Sequence, residues 1–514
     1  MPGNVESEAA RATTGRSVLH GGLWYVASYA IPQVYTLAIS IVAARFLGPD
    51  GMGRQSYIAF VSLTLTTVLS SSMYVALMRY IGESAGRGRE ELLPGLLWWA
   101  WRVEAVVALV AAGSLAVIAE LGAEPQGAWA FAAVVSAAGI LHTVPTAVLV
   151  GLQRFRQASV VGLATGFVGT AGVTFVLWQG GGITGMFAVE AVVGVVNLLW
   201  TGTLARRALN TSDAGTEVAD QIGLRTLRHR VGRFALLSAI GLFLELIVAT
   251  RSEFFFLAHY STDSQIAFYS IAYSAVAALR LIPRSLAQAT APAFATLFGG
   301  QAFDRIRSGY SRSLRLLLMV SLPLTATGLA LGPELIEEVY GHDYAGASGP
   351  VRILLVAFPV IALSSLANSL LAGYGRIRLP LTANAVGAAV DVALAFALVP
   401  SLDANGAAIA NAAGQGAYAL VVLAAATRIV SPVEWRLGSL VRNLVASGIA
   451  GLAGWAVVQS LDGFSGVAAA AVALVLAYAV LAAVLRPLPA DDARWLEEAI
   501  PIRGIARICR LCAA

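Results

Sequence analysis

The amino-acid sequence predicts an all-α polytopic membrane protein of about fourteen transmembrane helices. Of its 514 residues, 58% are hydrophobic and only 12% are charged, whereas soluble domains carry roughly 25% charged residues. The mean hydropathy is +0.75. Apolar stretches of about 20 residues, the length that crosses a membrane, follow one another almost from end to end. We therefore expect a bundle of spans joined by short loops.

The predicted spans follow from the apolar stretches in chain order. They lie at about 22–46, 54–78, 97–119, 129–150, 158–178, 185–204, 234–259, 266–293, 313–332, 350–373, 380–400, 405–427, 444–460 and 465–485. The first stretch is too long for the apolar region of a cleavable signal peptide, so we interpret it as a span.

The basic residues, all of them Arg, predict the orientation. With the N-terminus inside, most Arg residues fall in inner loops and acidic residues predominate in outer ones, as the positive-inside rule requires. We therefore expect both termini to be cytoplasmic and the protein to lie in the cell (inner) membrane. The net charge of +5 is thus a topology signal rather than a nucleic-acid footprint. Trp98, Trp99 and Trp101 fit an aromatic belt, beside which Arg102 and Glu104 are expected to be interfacial.

The same pattern divides the chain into segments. We expect a cytoplasmic N-terminal segment (1–21), an N-lobe of spans one to six (22–204), a cytoplasmic basic linker (205–233), a C-lobe of spans seven to twelve (234–427), a cytoplasmic loop with spans thirteen and fourteen (428–485) and a cytoplasmic amphipathic tail (486–514).

An internal repeat relates the two lobes. The loop after span four has the pattern G-x-x-R-x-R from Gly151, and the loop after span ten has it from Gly373, 222 residues later. Gly185 and Gly406 stand at the entrances to the sixth and twelfth spans, at an offset of 221. Because each unit holds six spans, both copies keep one orientation, which predicts two parallel six-helix lobes plus two extra C-terminal helices.

Several motifs resemble those of bacterial polysaccharide and lipid-linked oligosaccharide flippases. Residues 44–53 (ARFLGPDGMG) are similar to an A-R-x-L-G-P-x-x-x-G element of that family. Residues 79–88, 251–253, 340–347 and 406–410 are similar to further family elements. The resemblance covers about residues 20–485 and points to the multidrug/oligosaccharidyl-lipid/polysaccharide superfamily.

The resemblance implies a V-shaped bundle and alternating access, with a polyprenyl-diphosphate-linked oligosaccharide moved from the inner to the outer leaflet for surface-polysaccharide biosynthesis. Membrane lipids and other polysaccharide-assembly proteins would be its partners. A multidrug antiporter of the related branch is the alternative, and a membrane glycosyltransferase or polysaccharide polymerase is a third. A cofactor is not expected, and coupling would be to protons or Na⁺.

Charged residues inside spans are the candidate site residues, because each costs roughly 2.5–3.5 kcal/mol on insertion scales. Arg280 and Arg284, one helical turn apart, would bind a diphosphate, and Pro283 between them could kink the span. Arg251 and Arg45 are further substrate-binding candidates. The alternatives are snorkelling for Arg284 and Arg45 and an ion pair with a neighbouring span for Arg251.

Four acids are candidates for ion coupling: Glu253, Glu245, Glu190 and Asp391. A hydrogen bond to a neighbouring helix is the alternative for each of the last two. Cys509 and Cys512 form a lone C-x-x-C, and the five His are scattered, so a metal site is not expected.

Overall fold

The computed structural model describes residues 16–87, 90–210, 221–249, 252–376, 378–499 and 512, and these fold into helices without strands. The α-helices are α1 (Arg16–Gly86), α2 (Leu93–Glu120), α3 (Gln126–Gly151), α4 (Phe155–Trp178), α5 (Gly182–Asn210), α6 (Gln221–Ala249), α7 (Glu253–Tyr260), α8 (Asp263–Leu279), α9 (Leu281–Gly299), α10 (Phe303–Tyr340), α11 (Ser348–Gly373), α12 (Arg378–Ile429), α13 (Leu437–Val458), α14 (Gly463–Leu485) and α15 (Ala490–Ala499). Short 3₁₀ turns cover Glu90–Leu92 and His342–Ala347.

The all-α polytopic fold is confirmed. Eleven helical stretches within the described residues are long and apolar enough to cross a membrane. Nine of them hold one predicted span each, and the two longest, of 53 and 52 residues, hold two each. The predicted seventh span falls on α6 and α7, and two of its residues, 250 and 251, lie outside the described part of the chain.

The two longest helices each contain a break. At 1.5 Å per residue, the 71 residues of α1 would extend about 107 Å, several times the roughly 30 Å of a hydrocarbon core. The backbone leaves helical geometry at Gly48 (φ 68°, ψ 177°) in α1 and at Asp403 (φ 48°, ψ −129°) in α12. Each break lies where the sequence predicts a short loop between two spans.

The sequence repeat is confirmed by matching backbone geometry. After α3, the Arg154 amide donates to the Leu149 carbonyl at 2.7 Å. After α11, 222 residues later, the Arg376 amide donates to the Leu371 carbonyl at 2.9 Å. The third residue of each motif has a positive φ, 59° at Gln153 and 67° at Gly375.

The repeated glycines at the entrances to spans six and twelve also lie in similar turns. Gly182 and Asp403, at the offset of 221, both have positive φ, 58° and 48°. Three residues later, a Cβ on Gly185 would lie 2.4 Å from Val176 Cγ1, and one on Gly406 would lie 2.5 Å from the Leu398 carbonyl oxygen. Both turns therefore need glycine because the chain doubles back tightly on itself.

The chain forms two compact units. Unit 1 comprises Met1–Leu47 and Gln55–Leu246, and unit 2 comprises Gly48–Arg54 and Ile247–Ala514.

In unit 1, the predicted basic linker is helical from Gln221 and packs on α2. The Arg228 guanidinium donates to the Gly95 carbonyl at 2.9 Å, and Leu227 and Val231 enter the core beside Leu96. Apolar residues at helical spacing thus attach the second part of the predicted basic linker (205–233) to unit 1.

In unit 2, the C-terminal helices are fastened to α10 by buried polar groups. The Asn443 amide on α13 donates to the Leu318 carbonyl of α10 at 3.1 Å, and Tyr478 of α14 donates to Asn443 at 2.8 Å. On α15, the fully buried Asp492 carboxylate accepts from Arg312 and Arg315 of α10. The tail therefore contributes a helix that is docked on the bundle through an ion pair.

Candidate functional site

A pair of buried carboxyl groups lies inside unit 2. Glu253 opens α7 and is 0% exposed, while Asp391, in the first half of α12, is 1% exposed. The Tyr269 hydroxyl of α8 donates to Glu253 Oε2 at 2.8 Å. The Ser252 hydroxyl donates to Asp391 Oδ2 at 3.1 Å. The two carboxyl groups are close enough to interact electrostatically.

One oxygen of each carboxyl group in this pair lacks a hydrogen-bond donor in the described part of the chain. Glu253 Oε1 and Asp391 Oδ1 are both buried, and neither has a hydrogen-bond donor among the described residues. Ionised carboxylates only accept hydrogen bonds. Two of them in contact away from water therefore need a proton or a cation between them. The arrangement suits reversible binding of a small cation.

Close packing inside α12 holds the pair in place. A Cβ on Gly414, in the second half of α12, would lie 2.6 Å from Asp391 Cβ and 3.0 Å from the Gly387 carbonyl oxygen. The two halves of the helix can therefore approach this closely only with glycine at position 414. The Phe254 ring, also fully buried, meets Tyr269 edge to face at 5.7 Å.

Arg280 sits at the joint between α8 and α9. Its backbone closes α8 and opens α9, and Pro283 occupies the third position of α9, where a missing amide costs no helical hydrogen bond. Arg280 itself keeps right-handed helical geometry (φ −68°, ψ −14°), so the kink at Pro283 stays a prediction. Arg280 Nε is buried without a hydrogen-bond partner in the described part of the chain. A guanidinium held in this way has donor capacity left for an anion.

An aromatic ladder on α8 connects Arg280 with the carboxyl pair. Arg280 Cζ lies 5.6 Å from the centre of the Tyr273 ring. The Tyr273 and Tyr269 ring centres are 6.2 Å apart, and Tyr269 donates to Glu253. Arg280 and Glu253 are therefore connected by an unbroken series of side-chain contacts.

The other Arg candidates are less enclosed. Arg284 is exposed on α9, and its backbone amide donates to the Arg280 carbonyl at 3.1 Å, so the two lie on successive turns as predicted. Arg45 is exposed near the end of the first span and belongs to unit 1. Arg251 lies outside the described residues, so its predicted role stays a prediction.

The remaining acid candidates do not join the pair. Glu245 is exposed on α6, and Glu190 is half-buried on α5. Both belong to unit 1, whereas Glu253 and Asp391 belong to unit 2. The sequence named both members of the pair but did not predict that they meet, because 138 positions separate them.

The sequence interpretation of Glu104 was wrong. Arg102 is exposed at the surface, with its guanidinium over Trp98, as expected of an interfacial residue. Glu104, two residues further on, is 0% exposed inside unit 1. It falls on the buried stripe of α2, with Leu97 and Ala100 before it and Ala108 and Ala111 after it. That spacing of three and four residues was visible in the sequence and would have placed Glu104 inside.

The fold defines a polytopic helical membrane protein, and its described part encloses several buried charged groups. A family model described as MatE matches residues 238–397. No curated protein sequence matches the chain. The chain has the fold of the multidrug/oligosaccharidyl-lipid/polysaccharide (MOP) superfamily, in agreement with the sequence motifs.

Three solved structures illustrate this similarity. The lipid II flippase MurJ in an inward closed conformation matches with a TM-score of 0.69 at 12% identity, covering 90% of this chain and 98% of that chain. An inward-facing multidrug resistance MATE family transporter of the MOP superfamily matches with a TM-score of 0.60 at 15% identity, covering 79% and 96%. A MOP superfamily transporter from Pyrococcus furiosus matches with a TM-score of 0.56 at 16% identity, covering 81% and 96%.

Proposed function

We propose that this protein is a flippase that moves an anionic, polyprenyl-diphosphate-linked oligosaccharide from the inner to the outer leaflet. The observation that carries the proposal is Arg280, whose Nε is buried without an acceptor among the described residues, between helices α8 and α9. A guanidinium matches the paired oxygens of a diphosphate. Arg284, one turn on, would add a second positive charge.

The length of the fold supports a lipid-linked cargo. The structure named as a lipid II flippase covers 90% of this chain, whereas the MATE structure covers 79%. The additional helices α13 and α14 are apolar and largely exposed on their outer faces; Leu452, Val472 and Val484 are each more than half exposed. Such a surface offers contacts for a polyprenyl chain as well as for lipid.

The carboxyl pair of Glu253 and Asp391 would couple transport to an ion. Binding a proton or Na⁺ removes the repulsion between the two groups, and the aromatic ladder leads from them to Arg280. Alternating access would then consist of cation binding at the pair and anion binding at Arg280, with each favouring a different conformation. We place the protein in the cell (inner) membrane, with both termini cytoplasmic and with other polysaccharide-assembly proteins as partners.

A multidrug antiporter is the second candidate function. The buried carboxyl pair favours it, because anionic groups would also attract a cationic drug, and the MatE match covers the segment that carries both acids. The two functions predict different phenotypes for a strain that lacks the gene. Loss of surface polysaccharide supports the flippase, whereas increased drug sensitivity with normal polysaccharide supports the antiporter.

The test at residue level is Arg280→Ala in a strain that lacks the gene. We expect the variant to reach the membrane in normal amount and to export no surface polysaccharide, because the diphosphate loses its buried partner. Arg280→Lys should restore export in part, since it keeps the charge but not the paired donors. Arg352→Ala, which removes an exposed Arg on α11, is the matched control and should behave as wild type. Normal export by Arg280→Ala would remove this residue from the site.

A further inference from the structure

Glu104 lies deep within the second helix of unit 1. It is eleven residues from the start of α2, which corresponds to about 17 Å along a helix of about 42 Å. With a hydrocarbon core of about 30 Å centred on that helix, the carboxyl group lies well inside it. Its side chain is 0% exposed.

A short chain of hydroxyl groups from two other helices leads to the carboxyl group. The Ser70 hydroxyl of α1 donates to Glu104 Oε2 at 2.6 Å. The Ser70 oxygen lies 3.1 Å from Thr143 Oγ1 of α3, and Thr143 donates to the Ile140 carbonyl at 2.7 Å. Glu104 Oε1 is buried and has no donor among the described residues. Glu104 Oε2 thus accepts a hydrogen bond, whereas Oε1 accepts none from the described residues.

The charged and titratable groups next to Glu104 and Thr143 in sequence do not neutralise this carboxyl. Arg102, on the same helix, is exposed and stacks on Trp98. His142, the residue before Thr143, directs its ring towards Thr146 and Thr201, with contacts of 3.1 and 3.2 Å. No Arg or His within the described residues forms a salt bridge with Glu104. An ionised carboxylate without a partner is very costly at such a position.

We propose that Glu104 is a proton-binding site of unit 1, separate from the carboxyl pair of unit 2. A proton from water adds to the unsatisfied Oε1 and gives a neutral carboxylic acid, while Ser70 continues to donate to Oε2. The same proton returns to water when a conformational change wets the site. Each unit then carries its own protonatable carboxyl. The inference does not depend on the cargo proposed above.

A proton fits this site better than a metal ion. The polar side chains linked to Glu104 are the Ser70 hydroxyl, which donates to Oε2, and through it the Thr143 hydroxyl, which already donates to a carbonyl. Hard cations take about six or more oxygen ligands. In the described part of the chain, no three His, Cys, Asp or Glu side chains come together as metal ligands.

The experiment is infrared spectroscopy of the purified full-length protein in lipid nanodiscs. Spectra are recorded from about pH 5 to about pH 9, a range above the usual Glu value of about 4.3 in which a carboxyl group buried away from water exchanges its proton. Glu104→Gln keeps the shape of the side chain and an acceptor for Ser70. Glu120→Gln, an exposed acid at the end of the same helix, is the matched control.

We expect wild type minus Glu104→Gln to show one protonated-carboxyl band that disappears as the pH rises, and wild type minus Glu120→Gln to lack it. If Glu104→Gln instead removes a carboxylate band at every pH, Glu104 is ionised throughout, and the proposal is overturned. A protonated band that does not change with pH would show a fixed structural proton, and one displaced by Na⁺ would show a metal site; both contradict it.

Ser70→Ala provides a second test if Glu104→Gln does not fold. It leaves Glu104 in place and removes its hydrogen-bond donor, so the pH at which the band disappears must shift. An unchanged midpoint would contradict the assignment. Because none of these spectra requires substrate, failure here leaves the flippase proposal to be judged by its own export assay.

Discussion

The ion pair that docks the tail helix allows a quantitative prediction. Asp492 is fully buried, and its two oxygens accept from Arg315 Nε and Nη2, both at 2.7 Å, and from Arg312 Nε at 3.1 Å. The side chain of Arg315 is 6% exposed. In Asp492→Asn, this guanidinium would remain buried without its counter-charge.

Removing one partner of a buried ion pair costs about 3–5 kcal/mol. We expect the lower end here, about 3 kcal/mol, because Arg315 keeps its bond to the Glu434 carbonyl at 2.6 Å and Arg312 is 24% exposed. At about 1.4 kcal/mol per factor of ten, the docking equilibrium of α15 should weaken about a hundredfold.

The assay is hydrogen exchange of the α15 backbone amides by mass spectrometry. Protection in α15 should fall about a hundredfold in Asp492→Asn, while α2 exchanges as in wild type. Asp491→Asn is the matched control because Asp491 is exposed and forms surface pairs with Arg436 and Arg494, which contribute little. Equal protection of α15 in Asp492→Asn and wild type would refute the reasoning that this pair docks the helix.

Two further predictions concern the carboxyl pair and its support. Asp391→Asn should fold but should make transport insensitive to an imposed pH or Na⁺ gradient, because a single acid no longer needs a shared cation; gradient-dependent transport in this variant would remove the pair from coupling. Gly414→Ala should destabilise the protein by about 1–3 kcal/mol, the usual cost of overpacking, because its Cβ would meet Asp391 and the Gly387 backbone. Gly416→Ala, where a Cβ has open space, should unfold at or above the wild-type temperature; equal effects of the two substitutions would show that the close approach does not matter.

The helices were predictable from the sequence because the membrane imposes a length and a composition on each of them. Arg clusters at alternate predicted loops indicated the number of spans without any knowledge of contacts. The repeat was also visible in the sequence, since the turns at Gly151 and Gly373 need the same unusual backbone geometry and therefore similar residues.

The site was less predictable because it depends on which helices meet. Glu253 and Asp391 could be named as costly residues, yet their pairing requires the contact of α7 with α12. Arg280 was expected in a span that Pro283 could kink, and the structure places it between α8 and α9. Its Nε is buried without an acceptor among the described residues, which the sequence did not indicate. Glu104 was misplaced because the nearby Trp residues suggested an interface, although its helical spacing pointed inwards.

The most direct test of the central claim is translocation by the purified protein in proteoliposomes. A fluorescent polyprenyl-diphosphate-linked oligosaccharide is placed in one leaflet, and its appearance in the other is followed by quenching. We predict translocation by the wild type and by Arg352→Ala, and none by Arg280→Ala. Translocation that is equally fast with Arg280→Ala would contradict the assignment of the anion site, and absence of translocation by a wild-type protein that transports a cationic drug would contradict the proposed function.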